Sequence, residues 1–240
     1  MSTHHSPTIE VCFTPDLFKY RQSSDPILIV VVDIFRAGST VCAALSNGFQ
    51  KVKPVSDLAE AEKLKRENGW PAAGERNGVK LPFTDYGNSP VALAGVKHSG
   101  VPLILTTSNG TKAIEVSKDA GDIIVGGFNN MGAISKWLLN QNKNVLILCS
   151  GWMGSMSLED TVFAGALIEQ INLKLLNDEA FMAQKLWSEA KNDLKGFLQQ
   201  GTHFQRLLKL GAERDIDFAL SIDNSNVIPI FKDGFLLNNL

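Results

Sequence analysis

Residues Ile27 to Val32 form a run of six apolar side chains that ends on a charge, Asp33. A run that short and that apolar, bounded by a turn signal, fits a strand buried on both faces, as in a parallel sheet. The whole stretch, Pro26 to Thr40, reads PILIVVVDIFRAGST, and the helical-looking run Val41 to Leu45 follows it. Asp33 then falls at the C-terminal end of a strand, the end where open α/β sheets bind ligands. A carboxylate closing an apolar run needs a partner. Arg36 or a metal ion would meet that need, so Asp33 and Arg36 read either as a site or as a structural ion pair.

Two further strands end in the same way. Val101 to Thr106 runs into Thr107-Ser108-Asn109-Gly110-Thr111, and Val145 to Cys149 into the small-residue turn Ser150 to Ser157. Shorter strands are expected at Ile9–Phe13, Lys51–Pro54 and Asp122–Val125. Helices are expected from Thr40 to Ser46, stopped by Asn47-Gly48; from a Ser56 cap to Asn68-Gly69; from Asn129 to Leu139; and from Leu158 to Leu176. Residues Asn177 to Ala219 read as helical throughout. A last strand, Val227 to Phe231, contains Pro229, which points to an edge or bulged position. Repeated β-turn-α units imply an α/β fold in three layers, with a parallel or mixed sheet and helices on both faces. The chain reads as one α/β domain over residues 1–240. Ala43-Ala44-Leu45 is matched by Ala164-Gly165-Ala166-Leu167, which suggests an internal duplication.

The totals exclude several classes. A net charge of −2 offers no basic footprint for nucleic acid. No apolar run reaches the ~18 residues that a membrane span needs. The N-terminus, MSTHHSPTIEV, has no basic segment leading into an apolar core, so no signal peptide is expected. Cys12, Cys42 and Cys149 are an odd set in apolar surroundings, which reads as reduced thiols in a cytoplasmic protein, with core packing favoured over nucleophilic chemistry for Cys149.

Three Gly/Ser/Thr-rich turns at strand-to-helix junctions suggest an anion site at one sheet edge, because helix N-termini leave N–H groups free and favour negative charge. Neither a GxxxxGK[ST] nor a GxGxxG motif is present. Ala72 to Pro90 reads as a long polar loop, and loops of that length inside a domain are usually functional. It holds Glu75, Arg76 and Asp85. Glu159-Asp160 opens a helix, where acidic residues also serve the helix dipole. Asp33, Glu75, Asp85, Glu159 and Asp160 together are hard oxygen ligands of the kind Mg²⁺ takes, with phosphate oxygens and water. Arg36 and Arg76 are planar forks for phosphate, sulfonate or carboxylate. His203 is a candidate general acid. His4 and His5 fall in the N-terminal tail, and His98 in a turn expected to be solvated.

The order of these motifs carries a resemblance. VVDIFRAGST (31–40), GERNG (74–78), DYGNSP (85–90), TTSNGT (106–111) and SLEDTVFAGA (157–166) resemble, in order and spacing, the 2-phosphosulfolactate phosphatase family. The resemblance implies an α/β fold distinct from the haloacid dehalogenase phosphatases, whose DxD motif is absent at Asp33-Ile34-Phe35. It implies a Mg²⁺-dependent phosphatase that converts (R)-2-phospho-3-sulfolactate to 3-sulfolactate and phosphate, a step of coenzyme M biosynthesis. Other 2-phospho-hydroxycarboxylic acids are the alternative substrates, and a non-catalytic anion-binding protein on the same fold is the competing class. The implied catalytic set is Asp33, Arg36, Glu75 and Glu159. Asp33, Glu75 and Asp160 are the implied metal ligands, with Glu159 as ligand or water-activating base. Arg76, Asn88, Ser89, Thr107, Asn109, Gly110 and Thr111 are the implied substrate contacts. The expected partner is a small phosphate ester, with no nucleic acid and no membrane; a homodimer is an open expectation.

Overall fold

The computed structural model describes residues 6–21, 27–98 and 100–239; Pro26, His4 and His5 lie outside the described residues. The strands are β1 (Thr8–Cys12), β2 (Ile27–Val32), β3 (Lys51–Pro54), β4 (Ala72–Arg76), β5 (Val79–Lys80), β6 (Pro102–Thr106), β7 (Gly121–Gly126), β8 (Asn144–Cys149), β9 (Lys174–Leu175), β10 (Pro229–Lys232) and β11 (Phe235–Asn238). They form one mixed sheet in the order β5-β4-β6-β3-β11-β10-β7-β2-β8-β1-β9. The helices are α1 (Pro15–Phe18), α2 (Ala37–Ser46), α3 (Leu58–Asn68), α4 (Pro90–Ala94), α5 (Gly110–Ser117), α6 (Met131–Gln141), α7 (Leu158–Ile171), α8 (Asp178–Ala190), α9 (Leu194–Leu198), α10 (Thr202–Lys209) and α11 (Glu213–Ala219). The α/β class and the layering of helices on both faces agree with the sequence.

Strand β2 is central, paired in parallel with β7 on one side and β8 on the other. All six of its residues are buried. Because side chains alternate across a strand, Leu28, Val30 and Val32 enter a core with α6, α7 and α8, among them Phe163 and Ile134. Ile27, Ile29 and Val31 enter a second core with Val41 and Ala44 of α2 and Ile114 of α5. Two cores explain why the run has no polar alternation. Fully burying a side chain of this size stabilises by roughly 1.5–3 kcal/mol.

The sheet holds two parallel groups, β4-β6-β3 and β7-β2-β8-β1-β9, joined by the C-terminal hairpin β10-β11. The hairpin pairs antiparallel with β7 through Ile230 and Phe231, and with β3 through Leu236. Strand β10 therefore lies inside the sheet, not at an edge. Pro229 is tolerated because it is the first residue of its strand and its pairing is with Asn238 of the hairpin partner.

Residues 72–90 are also more ordered than a polar loop. Ala72–Gly74 pair in parallel with Ile104–Thr106 of β6, although AAGER has no β-branched residue. A tight turn with positive φ at Asn77 (54°) and Gly78 (78°) returns the chain into β5, as two-residue hairpins require.

Other boundaries shift for local reasons. Asp57, not Ser56, caps α3, its Oδ1 accepting from Glu60 N at 2.7 Å. Helix α7 stops at Ile171 because Asn172 turns left-handed, at φ 48°. The following apolar residues supply the short edge strand β9. The expected continuous helix from Asn177 is four helices; Asp193 starts a new one by capping Gly196 N, and Gly211 (φ 70°) ends another. His98 is not solvated but half-buried, stacked on Phe49. Among the described residues no helix is long and apolar enough to cross a membrane.

Candidate active site

A cleft of about 470 Å³ opens where the turns after β2, β4, β6 and β8 meet helix α10. Its walls include Asp33, Arg36, Glu75, Asn88, Thr107 and Asn109 from the expected set, together with Ser108, Trp152, His203 and Arg206. The convergence differs from the expected one. Strands β2 and β8 are neighbours, Val32 facing Cys149, but β6 belongs to the other parallel group. Its turn reaches Asp33 across the two groups rather than along a single edge.

Asp33 is buried, and Ala37 N–H donates to its Oδ1 at 3.1 Å. Among the described residues nothing donates to Oδ2. Gly110 lies directly against it: a Cβ there would be 2.9 Å from Asp33 Oδ2 and 2.9 Å from Ala37 Cβ. Burial pushes the Asp33 carboxyl up to about 6, helped by the charges of Glu75 and Glu159 and opposed by the Ala37 N–H and by His203.

Arg36 does not pair with Asp33. Its Nη1 donates to Asp215 Oδ2, both side chains being buried, and Ser89 Oγ donates to Asp215 Oδ1 at 2.6 Å. Asp215, in α11, is thus a residue of the site that no sequence motif singles out, and Ser89 acts through it instead of lining the cleft.

Glu75 is held on both oxygens. Ser108 N and Oγ donate to Oε1 at 3.0 and 3.2 Å, and Gly78 N donates to Oε2 at 2.6 Å. Glu75 therefore ties the β4-β5 turn to the turn after β6. Arg76 is directed elsewhere: its guanidinium donates to the Glu75 and Ser56 carbonyls at 2.7 and 2.9 Å and to Thr106 Oγ1 at 3.0 Å. It does not line the cleft, so the expected clamp by two arginines is not assembled.

Glu159 and Asp160 open α7 with different tasks. Glu159 Oε1 lies 2.6 Å from His203 Nδ1, and both side chains are nearly buried. The His203 ring stacks on Trp152, with centroids 5.0 Å apart and an 11° interplanar angle, and meets Phe35 edge-on. With Nδ1 committed to Glu159, Nε2 is the ring nitrogen left for a ligand. Asp160 accepts from Ile34 N at 2.9 Å and from Gly151 N at 3.1 Å, one bond on each oxygen. It fastens the turn after β8 to the turn after β2. Burial, and then the charges of Glu159 and Asp33, push its carboxyl well up from the usual carboxylate range.

Thr111 is buried and donates to the Thr107 carbonyl at 2.8 Å, which ties the first turn of α5 to the turn before it. Thr107 Oγ1 and Asn88 Oδ1 are buried without a hydrogen-bond partner, although both residues line the cleft. Orphaned polar atoms of this kind cost stability unless a ligand satisfies them. Asp85, weighed as a ligand, is paired outside the cleft with Lys65 and accepts from Ala72 N at 2.8 Å. Burial pushes the Cys149 thiol well up, as it does Cys42 to about 12, which leaves both as core residues.

Asp33, Glu75 and Asp160 do not gather into a metal cage, and among the described residues no group of three or more His, Cys, Asp or Glu does. Glu75 and Asp160 already have every oxygen bonded to an N–H or O–H donor. Among the described residues, Asp33 Oδ2 and Asn88 Oδ1 are hard donors of the cleft that no N–H or O–H meets. One carboxylate and one amide oxygen, completed by water and phosphate oxygens, is a donor set that fits Mg²⁺.

Sequence comparison finds a family and named relatives. The family model described as 2-phosphosulpholactate phosphatase matches residues 12–234. A protein of Pseudothermotoga lettingae called a probable 2-phosphosulfolactate phosphatase is 38% identical, over 95% of this chain and 98% of its own. A protein of Prochlorococcus marinus with the same description is 37% identical over 90% and 93%. One of Thermotoga petrophila, also so described, is 36% identical over 87% and 90%.

Proposed function

We propose that this chain, which belongs to the 2-phosphosulpholactate phosphatase family, hydrolyses the phosphate ester of (R)-2-phospho-3-sulfolactate to 3-sulfolactate and phosphate. The observation that carries the reading is the pairing, within one cleft, of an open carboxylate oxygen on Asp33 with an imidazole oriented by Glu159. The first is the group that meets phosphorus or its metal, and the second is a proton donor for the departing oxygen. An alkoxide of a 2-hydroxy acid is a poor leaving group, so a positioned acid contributes most at that step.

Asp33 and Asn88 would hold Mg²⁺. When bound, the ion would neutralise charge on the transferring phosphoryl group. Thr107 Oγ1 donates to a phosphoryl oxygen, as do the free N–H groups at the start of α5. Arg36, immobilised by Asp215, presents the rest of its guanidinium to the same group. As the P–O bond breaks, the proton moves from His203 Nε2 to the ester oxygen, and the elements of water complete the two products. Asp33 itself or a water molecule attacks phosphorus. A single turnover in ¹⁸O water, with enzyme in excess, separates the two: label passes directly into phosphate if water attacks, and first into a protein carboxylate if Asp33 does.

The experiment that tests the reading is phosphate release from a panel of 2-phospho-hydroxycarboxylic acids, with Mg²⁺ and then with EDTA. Turnover that favours the sulfonated ester and stops in EDTA supports it. Binding of the esters without release of phosphate from any of them contradicts it and leaves an anion-binding protein.

A further inference from the structure

We infer that Arg206 is a specificity-determining residue that binds the sulfonate of the substrate, one of the two anions the ester carries besides its phosphate, borne one carbon beyond the phosphorylated carbon. The inference deepens the hydrolase reading and rests on it.

Three basic side chains line the cleft: Arg36, His203 and Arg206. Two are already neutralised by buried carboxylates, Arg36 by Asp215 and His203 by Glu159. Arg206 meets no carboxylate among the described residues, and its one hydrogen bond is a long one, from Nη2 to the Asn77 carbonyl at 3.3 Å. A guanidinium carries five N–H donors in a rigid fork suited to planar and tetrahedral oxyanions. Arg206 keeps most of them free.

Its placement is at the mouth of the cleft. Positions three apart share a helix face, so Arg206 follows His203 on the side of α10 that faces the cleft. Leu207 and Leu210 continue that wall. Asp33, Thr107 and the start of α5 lie in the buried interior, whereas Arg206 is exposed at the rim, beside the Asn77-Gly78 turn. A phosphate held inside places the groups of its own carbon skeleton towards that rim. The interior is acidic, with Asp33, Glu75 and Glu159 facing or backing it. A polyanionic ester entering it gains from a free cation at the mouth, both in steering and in bound-state pairing.

Because Arg206 is exposed and its one bond is long, R206Q leaves the fold intact, which far-UV circular dichroism checks. The test compares kcat/KM for 2-phospho-3-sulfolactate with that for 2-phospholactate, which lacks the sulfonate, in the parent and in R206Q. The ratio between the two esters is expected to fall by about 10- to 100-fold in R206Q, with R206K recovering part of it. An unchanged ratio, including an equal loss on both esters, overturns the assignment. If the parent releases phosphate from neither ester, the hydrolase reading fails on its own account. Arg206 is then judged by calorimetric titration with 3-sulfolactate. A dissociation constant at least about tenfold weaker in R206Q supports the assignment; equal affinity, or no binding by the parent, overturns it.

Discussion

Glu159 and His203 are 44 residues apart in the chain and 2.6 Å apart in the fold. The acid comes from the first turn of α7, and the imidazole from α10. Neither element alone identifies a dyad, and the stacking of His203 on Trp152 fixes the ring plane in which it works.

If that imidazole protonates the leaving oxygen, its loss shows most where the leaving group is poor. H203Q is expected to lower kcat about 100-fold or more on alkyl phosphate esters, and less than about tenfold on p-nitrophenyl phosphate, whose leaving group needs no proton. E159Q is expected to follow the same pattern with a smaller loss. Equal losses on both classes of ester would assign His203 a purely structural part.

Asp33 carries a folding penalty that depends on pH. Its carboxyl is raised from 3.8 to about 6 in the folded chain, chiefly by burial, so the folded state favours the protonated form. Relative to a carboxyl with no shift, stability is fully kept below about pH 4. It is lost as pH rises towards 6 and stays lost above that. The loss is of order 3 kcal/mol at about 1.4 kcal/mol per pH unit. In EDTA, D33N is therefore expected to melt higher than the parent at pH 8 and level with it at pH 4. Mg²⁺ added at pH 8 is expected to raise the melting temperature of the parent but not of D33N. A D33N melting temperature at or below that of the parent at pH 8 would contradict this.

Asp215 is expected to matter for stability as well as for the site. D215A leaves the buried Arg36 guanidinium unpaired, and breaking a buried pair by removing one partner costs about 3–5 kcal/mol. Urea denaturation reads this directly. The double replacement R36M/D215L is expected to recover much of that loss while remaining inactive.

Gly110 packs against Asp33 with no room for a methyl group. G110A is expected to displace the Asp33 carboxylate and to lower kcat by about tenfold or more, since sub-ångström misplacement of a reacting group is costly. Its urea midpoint is expected to fall as well, because Ala37 Cβ, 2.9 Å from the added atom, is fixed to the backbone of α2 and cannot swing aside.

The sequence was most legible where local signals and tertiary structure agree. Ile27–Val32 is apolar at every position because it serves two cores at once, and its burial on both faces follows from that alone. Asp33 and Glu75 stand out as carboxylates in turns and loops, whereas Asn88 is implied only by the family resemblance; all three line the cleft. Legibility failed where a partner distant in sequence decides the outcome. Ala72–Arg76 is a strand because β6 lies beside it, not because of its own propensity. Pro229 sits inside the sheet because the hairpin supplies its pairing. Arg76 looked like an anion clamp, but three oxygens of neighbouring segments hold its guanidinium away from the cleft. Asp215 gave no signal of its own in a helix with other charges; only its burial against Arg36 marks it.

The proposed mechanism places Asp33 against the phosphoryl group, directly or through Mg²⁺. Steady-state phosphate release from (R)-2-phospho-3-sulfolactate by the parent and by D33N, at saturating Mg²⁺, tests it most directly. A loss in kcat of about 1000-fold or more is expected for D33N, with its fold intact. Activity within a few-fold of the parent would contradict it.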